Sequence, residues 1–269
     1  MKTLKICTAL IALAFAAATA ARADDAAKRE LAPTGKLRVA IGVGITVSAF
    51  YTMKDAASGK FVGVPIALGA ELARKLGVPL EYVDYPNSGE IVARADAGVW
   101  DVTFLPVDAE RRKAVDFAAP YHVLQSTYLV PQGSAIQTIA DANRAGVRVI
   151  GVKNTATFRA SSAASPNATH AAVDGPAEAL EILRKGDADA LALGRESLTG
   201  IVPKLPGSRI LDGGFLNSTT AAAVPKGKPA ALAYVRAFVE DAKASGLARR
   251  AFDEVGLKGA TVAPAGMAP

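Results

Sequence analysis

An aspartate and an arginine three residues apart, Asp108 and Arg111, are the residues of this chain best suited to bind a small charged molecule. They follow an apolar run, residues 102–105, which predicts a buried strand that breaks at Pro106. Open α/β sheets bind ligands where their strands end. The planar guanidinium of Arg111 can hold a carboxylate through two parallel hydrogen bonds. The local alternative is a solvated face, with residues 110–113 carrying surface charge.

Residues for metal or nucleophilic chemistry are sparse. The two histidines, His122 and His170, have no further ligand at metal-binding spacing, so the sequence predicts no metal site and no cofactor. The chain has no G-x-S-x-G, P-loop or H-E-x-x-H motif. Glu90 and Asp108 are the candidates for acid–base work, and neither has a visible partner for it. These observations favour a binding protein over an enzyme.

The elements that position Arg111 alternate between short apolar strands and amphipathic helices. The strands are predicted at residues 37–43, 80–84, 102–105, 147–152 and 188–193, and the helices at residues 65–76, 88–97, 136–143, 155–164, 176–185, 229–244 and 247–254. This order predicts an α/β protein with mainly parallel sheets flanked by helices. Residues 24–33 are expected to form a flexible leader and residues 261–269 a loose tail.

The first 23 residues have the pattern of a cleaved secretory signal peptide. A basic start precedes the apolar run 6–18, which is short for a membrane anchor, and Ala21-Arg22-Ala23 fits the cleavage site. Cleavage would remove the one cysteine, Cys7, and lower the formal net charge from +6 to +3. We therefore expect a periplasmic protein without disulfides. The small net charge argues against nucleic acid as a partner.

Seven segments resemble, in order and with normal spacing, the periplasmic solute-binding proteins of ABC importers, of the amino-acid-binding family 3 class. The segments are G-K-L-R-V-A at 35–40, S-G-K-F-V-G at 58–63, E-L-A-R-K-L-G-V at 71–78, G-V-W-D-V at 98–102, E-R-R-K-A-V-D-F-A-A-P-Y at 110–121, G-V-R-V-I-G-V at 146–152 and A-L-E-I-L-R-K-G-D-A-D-A at 179–190. Each segment alone is a weak signal, whereas their order across the chain is a specific one.

The resemblance implies a two-lobe fold in which two crossing strands join the lobes. Lobe 1 would comprise residues 36–122 and 221–260, and lobe 2 residues 123–220. The protein would capture a small carboxylate-bearing polar solute, such as an amino acid or related organic acid, by hinge closure. As a monomer it would deliver this solute to the membrane subunits of an ABC permease. The alternatives are an enzyme similar to cyclohexadienyl dehydratase and a ligand-sensing partner of a chemoreceptor or sensor kinase.

The resemblance also assigns ligand-binding positions in lobe 1. Arg111 matches the carboxylate-binding arginine of the family, and Phe50 matches the aromatic residue that covers the ligand. Asp108 stands where the family usually has threonine. Backbone groups of Leu105, Pro106 and Val107 would face the ligand, although Pro106 lacks an N–H to donate.

In lobe 2 the expected site departs from the family pattern. The Gly-Thr pair that begins a helix is replaced by Thr155-Ala156, with Thr157 as a further hydroxyl. Gly194, followed by Arg195, stands where many members have the aspartate that binds the ligand ammonium. An unpaired buried ammonium is costly. Either Asp108 compensates for the missing aspartate, or Arg111 and Arg195 together favour a ligand with two anionic groups.

Overall fold

A computed structural model describes residues 24–269. The predicted signal peptide and Cys7 lie outside this range. In the described part of the chain, no helix combines the length and the apolar character needed to cross a membrane.

Helices and strands alternate along the described chain, as the apolar periodicity predicts. The strands are β1 Leu37–Val43, β2 Tyr51–Lys54, β3 Phe61–Val62, β4 Leu80–Tyr85, β5 Val102–Pro106, β6 Val115–Val130, β7 Arg148–Val152, β8 Thr169–Val173, β9 Ala190–Gly194, β10 Arg209–Ile210, β11 Leu216–Pro225 and β12 Thr261–Val262. The helices are α1 at residues 24–31, α2 Val64–Leu76, α3 Ser88–Ala93, α4 Ala156–Ala164, α5 Pro176–Lys185, α6 Arg195–Ile201, α7 Pro229–Ala244 and α8 Leu247–Glu254.

Helix α2 illustrates how the sequence sets these bounds. Pro65 occupies the first turn, where its missing N–H leaves no hydrogen bond unmade. Leu68 and Leu72 recur at helical spacing and are buried against the sheet. Gly77 ends the helix in the left-handed conformation, with φ 66°, which glycine adopts without strain.

The sheet joins two groups of parallel strands through two long antiparallel strands. On one side β1 pairs in parallel with β2, β4 and β5, and on the other side β7 pairs in parallel with β8 and β9. Between them, β6 pairs with β11 over most of its length and then with β9 and β10. We call β1–β5 with α1–α3, α7 and α8 lobe 1, and β7–β10 with α4–α6 lobe 2.

Each lobe has its own hydrophobic core. In lobe 1, α2, α7 and α8 cover one face of the sheet, and Trp100 packs with Ile91 of α3 on the other. In lobe 2, Ile150, Leu180 and Leu191 belong to one core cluster, and Tyr128 contributes to a second. The mixed α/β fold predicted from the sequence is confirmed, whereas the lobe boundaries at residues 122 and 221 stay predictions.

Both ends of the described chain are more ordered than the sequence suggests. The predicted leader is helix α1, whose Leu31 is fully buried in the lobe 1 core. The carboxylate of Glu30 accepts a hydrogen bond of 2.8 Å from the backbone N–H of Ala231 at the start of α7. The predicted loose tail contains β12, which pairs with β6 at Val123 and His122. These contacts are long-range, so local composition did not reveal them.

Two predicted helices are shorter than expected. The helix at residues 88–97 ends at Ala93, followed by turns up to Gly98, and the helix at residues 136–143 is reduced to a 3-10 turn, Ala140–Ala142. In α3 the Asn87 side chain caps the first turn by accepting hydrogen bonds from Gly89 and Glu90. The cap places Ser88 and Gly89 at the edge of lobe 1 that faces lobe 2.

Candidate functional site

Arg111 is buried at the carboxyl end of β5, where it begins the 3-10 turn Arg111–Lys113. Its side chain is 2% exposed, against 72% for Lys113 in the same turn. Arg111 Nη1 donates to the Pro106 carbonyl oxygen at 2.7 Å, and Nη2 donates to Ser88 Oγ at 2.7 Å. Arg111 is therefore not a solvated charge, whereas Lys113 in the same turn is one.

The free hydrogen-bonding groups beside Arg111 suit an anion. Among residues 24–269, neither Arg111 Nε nor the hydroxyl of the 1%-exposed Tyr51 has a hydrogen-bond partner. Burial lowers the pKa of Arg111 to about 10, which the nearby Asp108 carboxylate opposes. Burial also raises the pKa of Tyr51 above its usual range, which the positive charge of Arg111 opposes. At neutral pH the site thus holds a buried cation and a neutral phenol.

Two glycines, one near the end of β1 and one just after it, lie against the Tyr51 ring. A Cβ atom at Gly42 would lie 3.4 Å from the Tyr51 ring, and one at Gly44 would lie 3.3 Å from it. The Gly42 position is also 3.9 Å from the backbone nitrogen of Ser88. Small residues at the end of β1 therefore let the tyrosine ring lie beside the beginning of α3.

Asp108 links the two lobes. Its Oδ1 accepts the backbone N–H of Arg111 at 3.0 Å, and its Oδ2 lies 3.5 Å from Arg111 Nε without a hydrogen bond. The same Oδ2 forms an ion pair with Arg159 of α4, on the opposite side of the cleft. The carboxylate is thus shared between two cations.

Further contacts show that the cleft is closed. Asn87 Nδ2 donates to the Asp174 carbonyl oxygen at 2.7 Å, and Lys204 Nζ donates to the Ile45 carbonyl oxygen at 2.7 Å. At the same interface, a Cβ atom at Gly89 would lie 2.7 Å from the carbonyl oxygen of Asn154, closer than real Cβ contacts allow. The lobes approach closely because this position is glycine.

Phe50 lies where lobe 1 meets the end of β9. It forms a buried cluster with Tyr51 and Leu124, and the two ring centroids are 4.7 Å apart. A Cβ atom at Gly194 would lie 3.8 Å from Phe50 Cε1. The structure therefore brings Phe50 and Gly194 together, as the resemblance implied, and their role in ligand binding stays a prediction.

The helix start in lobe 2 is buried, and its hydroxyls are already engaged. Thr155 caps α4, since its Oγ1 accepts the Phe158 N–H at 3.1 Å and donates to the Val152 carbonyl oxygen at 2.7 Å. Thr157 Oγ1 lies 3.1 Å from Ser126 Oγ in β6, and Ala156 between them is buried.

The backbone of residues 105–107 is also engaged within the protein. Leu105 pairs with Ala221 in the β5–β11 ladder, and the Pro106 carbonyl accepts from Arg111. The Val107 N–H donates to the Thr219 carbonyl oxygen at 2.8 Å, and its own carbonyl accepts from Ser218 Oγ. This segment orients Arg111, and neither Pro106 nor Val107 has a free N–H for a ligand.

The Arg195 guanidinium is engaged by groups outside the Arg111 site. Its Nε donates to Gln125 Oε1 at 2.6 Å, and its Nη2 donates to the carbonyl oxygens of Leu211 and Gly213 at 3.0 and 2.6 Å. These bonds join the end of β9 to β6 and the loop before β11. The structure therefore gives no support to a two-arginine site for a ligand with two anionic groups.

Four residues at or beside the cleft were missed by the sequence reasoning: Tyr51, Ser88, Arg159 and Glu196. Tyr51 follows Phe50 directly, and Ser88 begins a helix, so both had a weak local signal. Arg159 and Glu196 sit in the first turns of helices that the chain brings to the cleft from lobe 2. Nothing local distinguishes them from surface charges. Within the described range, no group of three metal-ligating side chains occurs.

The chain belongs to the bacterial extracellular solute-binding proteins, family 3, whose model matches residues 40–255. Members of this family capture solutes outside the cytoplasm for ABC importers. A curated relative, the glutamine-binding protein of Geobacillus stearothermophilus, is 27% identical over 192 residues, which cover 67% of this chain and 69% of the relative.

Solved structures share the two-lobe fold. The ancestral amino acid-binding protein AncCDT-1, described as a precursor of cyclohexadienyl dehydratase, is 27% identical with a TM-score of 0.73, covering 84% of this chain and 98% of the ancestral protein. A mutant of ArgBP from T. maritima is 24% identical with a TM-score of 0.75, covering 85% of this chain and 98% of ArgBP, which supports the fold alone.

Proposed function

We propose that this protein captures a small polar solute with a carboxylate, of the amino acid class, and that Arg111 is the anchor of that carboxylate. The observation that carries the proposal is the position of Arg111. It is a buried cation at the closed interface of two lobes, with an unpaired Nε beside an unpaired Tyr51 hydroxyl within the described chain. Two free donors around a buried positive charge match a carboxylate in both charge and hydrogen bonding.

The two strands that connect the lobes would allow the lobes to close around a ligand. Strands β6 and β11 carry the chain between the lobes, with register shifts in their pairing near Thr220 and Ala221. Irregular pairing gives a strand pair a place to bend. A ligand that contacts both lobes favours the closed state by its differential affinity for it. The closed form would then be the one that a permease binds.

The finer parts of the proposal concern the setting of the protein. We infer that it works as a periplasmic monomer, released from its signal peptide, and that it binds its solute without transforming it. The binding proteins among its relatives support this, including a glutamine-binding protein. Asp108, one of the two candidate acid–base residues, is committed to Arg111 and Arg159.

The test is a thermal-shift screen of the purified protein without its signal peptide, against the standard L-amino acids, dicarboxylates and monocarboxylates. Hits are followed by calorimetric titration and by small-angle scattering with and without the hit. We expect at least one carboxylate-bearing compound to raise Tm and to favour the compact form. If only compounds without a carboxylate bind, the proposal is wrong.

The dehydratase alternative is tested on the same hits. A binding protein returns its ligand unchanged after prolonged incubation, whereas a dehydratase converts a cyclic acid and releases water. Conversion at a rate that depends on Asp108 or Glu90 would favour the enzyme.

A further inference from the structure

Glu196 carries a buried carboxylate oxygen that is not used within the described chain. The residue is the second of helix α6, and its side chain is 15% exposed. Its Oε1 lies 2.9 Å from Nε2 of His122, whereas its Oε2 is buried without any hydrogen-bond partner from residues 24–269. A buried carboxylate oxygen without a donor is costly, so this position calls for a donor from elsewhere.

The partner of Oε1 fixes the carboxylate in place. His122 lies fully buried in β6, and its second ring nitrogen, Nδ1, is 3.3 Å from Thr220 Oγ1 in β11. Both ring nitrogens are therefore engaged, one by α6 and one by β11, while Phe252 of α8 packs against the ring. This leaves His122 no free nitrogen for a ligand, and its role is to position Glu196 between the crossing strands and lobe 2.

The unused oxygen lies next to Gly194, the last residue of β9, which also adjoins Phe50. A Cβ atom at Gly194 would be 3.9 Å from Glu196 Oε2 and 3.8 Å from Phe50 Cε1. Phe50 in turn contacts Tyr51, whose free hydroxyl lies near Arg111. Within the described chain, the aromatic pair thus lies between the unpartnered Nε of Arg111 and Gly194, which adjoins the unpartnered Oε2 of Glu196.

The other carboxylate that was considered for a cationic ligand group is already neutralised. Asp108 pairs with Arg159 and lies beside Arg111, so a third cation there would face two positive charges. Among residues 24–269, no arginine or lysine forms a salt bridge with Glu196, and its Oε1 contacts the His122 ring. Charge complementarity therefore favours Glu196 over Asp108 as the residue that binds a cationic group of the ligand.

We propose that Glu196 Oε2 binds the ammonium group of the ligand, and that the ligand is a zwitterionic amino acid, not an acid without an amine. This inference rests on the proposed function, since it names the second charged group of the same ligand. It also accounts for Gly194: the carboxylate comes from two residues further along the chain, and glycine leaves room for it.

The experiment compares wild type with Glu196→Gln, which keeps the shape of the side chain and an oxygen for His122. Calorimetric titration measures binding of each standard L-amino acid and of its des-amino analogue, which has hydrogen in place of the amine. We expect wild type to prefer the best-bound amino acid over its analogue by about 30-fold or more, and Glu196→Gln to lose most of that preference. The exposed Glu110→Gln, which removes the same charge elsewhere, should bind as wild type does.

A rescue variant separates a binding role from a structural one. Gly194 has φ −63°, so a side chain is compatible with its backbone, and the nearest atom to its Cβ is the flexible end of Leu124. The double variant Gly194→Asp/Glu196→Gln places a carboxylate close to the same point and should regain the preference for the amine. A merely structural Glu196 would not be rescued in this way.

The outcomes distinguish the two proposals. If wild type binds neither amino acids nor their analogues, the proposed function fails, and this inference fails with it. If wild type binds the analogues as tightly as the amino acids, or if Glu196→Gln keeps the full preference, the role of Glu196 is wrong and the carboxylate-binding function stands.

Discussion

Asp108 at the end of β5 forms an ion pair with Arg159 of α4, and this pair connects the two lobes across the cleft. The Arg159 side chain is 38% exposed, whereas Asp108 is largely buried and also lies beside Arg111. Partly exposed pairs contribute little to the stability of a fold. This pair forms only when the lobes meet. Its free energy therefore stabilises the closed form relative to the open form.

Replacing Arg159 by alanine should shift that balance toward the open form. The expected loss is about 0.5–1 kcal/mol, a two- to five-fold weaker affinity for the ligand. Small-angle scattering of the unliganded protein and calorimetric titration measure the two effects. Arg144→Ala removes a charge that pairs within lobe 2 with Asp141, so it should change neither quantity.

Gly89→Ala should block full closure. The new Cβ atom would lie 2.7 Å from the Asn154 carbonyl oxygen across the interface, and backbone cannot yield as a flexible side chain does. We expect a ligand affinity at least about tenfold weaker, equivalent to 1.4 kcal/mol, with an unchanged circular dichroism spectrum. Gly175→Ala is the matched control, since its Cβ would meet the Pro86 carbonyl oxygen at an ordinary 3.7 Å. Equal affinities for the two variants would contradict a requirement for this close approach.

Arg111→Ala should abolish binding of carboxylates. Loss of one partner of a buried charge pair costs about 2–5 kcal/mol in binding, a decrease of 30-fold to several thousand-fold. The substitution also leaves the Pro106 carbonyl and Ser88 without their donors, so Tm should fall.

Arg111→Lys keeps the charge without the planar fork, and we expect it to bind with intermediate affinity. Lys113→Ala, in the same turn but exposed, is the control for both variants. Normal affinity in Arg111→Ala, measured on protein that melts cooperatively, would show that the carboxylate binds elsewhere.

Asp108→Asn tests what the aspartate does beside Arg111. The asparagine keeps an oxygen for the Arg111 N–H and removes the negative charge that lies 3.5 Å from Arg111 Nε. The substitution also breaks the ion pair with Arg159, so it is compared in the Arg159→Ala background, where that pair is already lost. Because the Asp108 charge repels a carboxylate at Arg111, we expect Asp108→Asn to bind carboxylates more tightly in that background, by a few fold. Calorimetric titration shows whether the affinity for carboxylates rises or falls. A weaker affinity that is confined to ligands with an amine would instead assign the ammonium to Asp108.

Leu31→Ala should destabilise the protein through helix α1. Leu31 is fully buried in the lobe 1 core, and removing a buried leucine side chain costs about 2–5 kcal/mol. Denaturant unfolding of the protein measures the loss. The exposed Arg29→Ala in the same helix should cost little. If Leu31→Ala is as stable as Arg29→Ala, residues 24–31 contribute no packing to lobe 1.

The amino-acid sequence by itself determined the class of this protein. Alternating apolar strands and amphipathic helices, with prolines in first turns and glycines after last turns, gave α2 and α5 close to their observed bounds. These signals are local, so they need no knowledge of distant contacts. The order of the family-like segments then predicted the fold and identified Arg111 as a binding residue. The charged residues around Arg111 alone would have predicted a surface position for it.

The tertiary structure decided which charges face one another. Arg195 was expected at the cleft and instead binds Gln125, whereas Arg159 and Glu196, which had no local signal, come to the cleft from lobe 2. Pairings between residues 50 to 100 positions apart depend on how β6 and β11 connect the lobes. Sequence spacing carries no record of that geometry, since the direction in which a side chain points at a strand end is set by the packing around it.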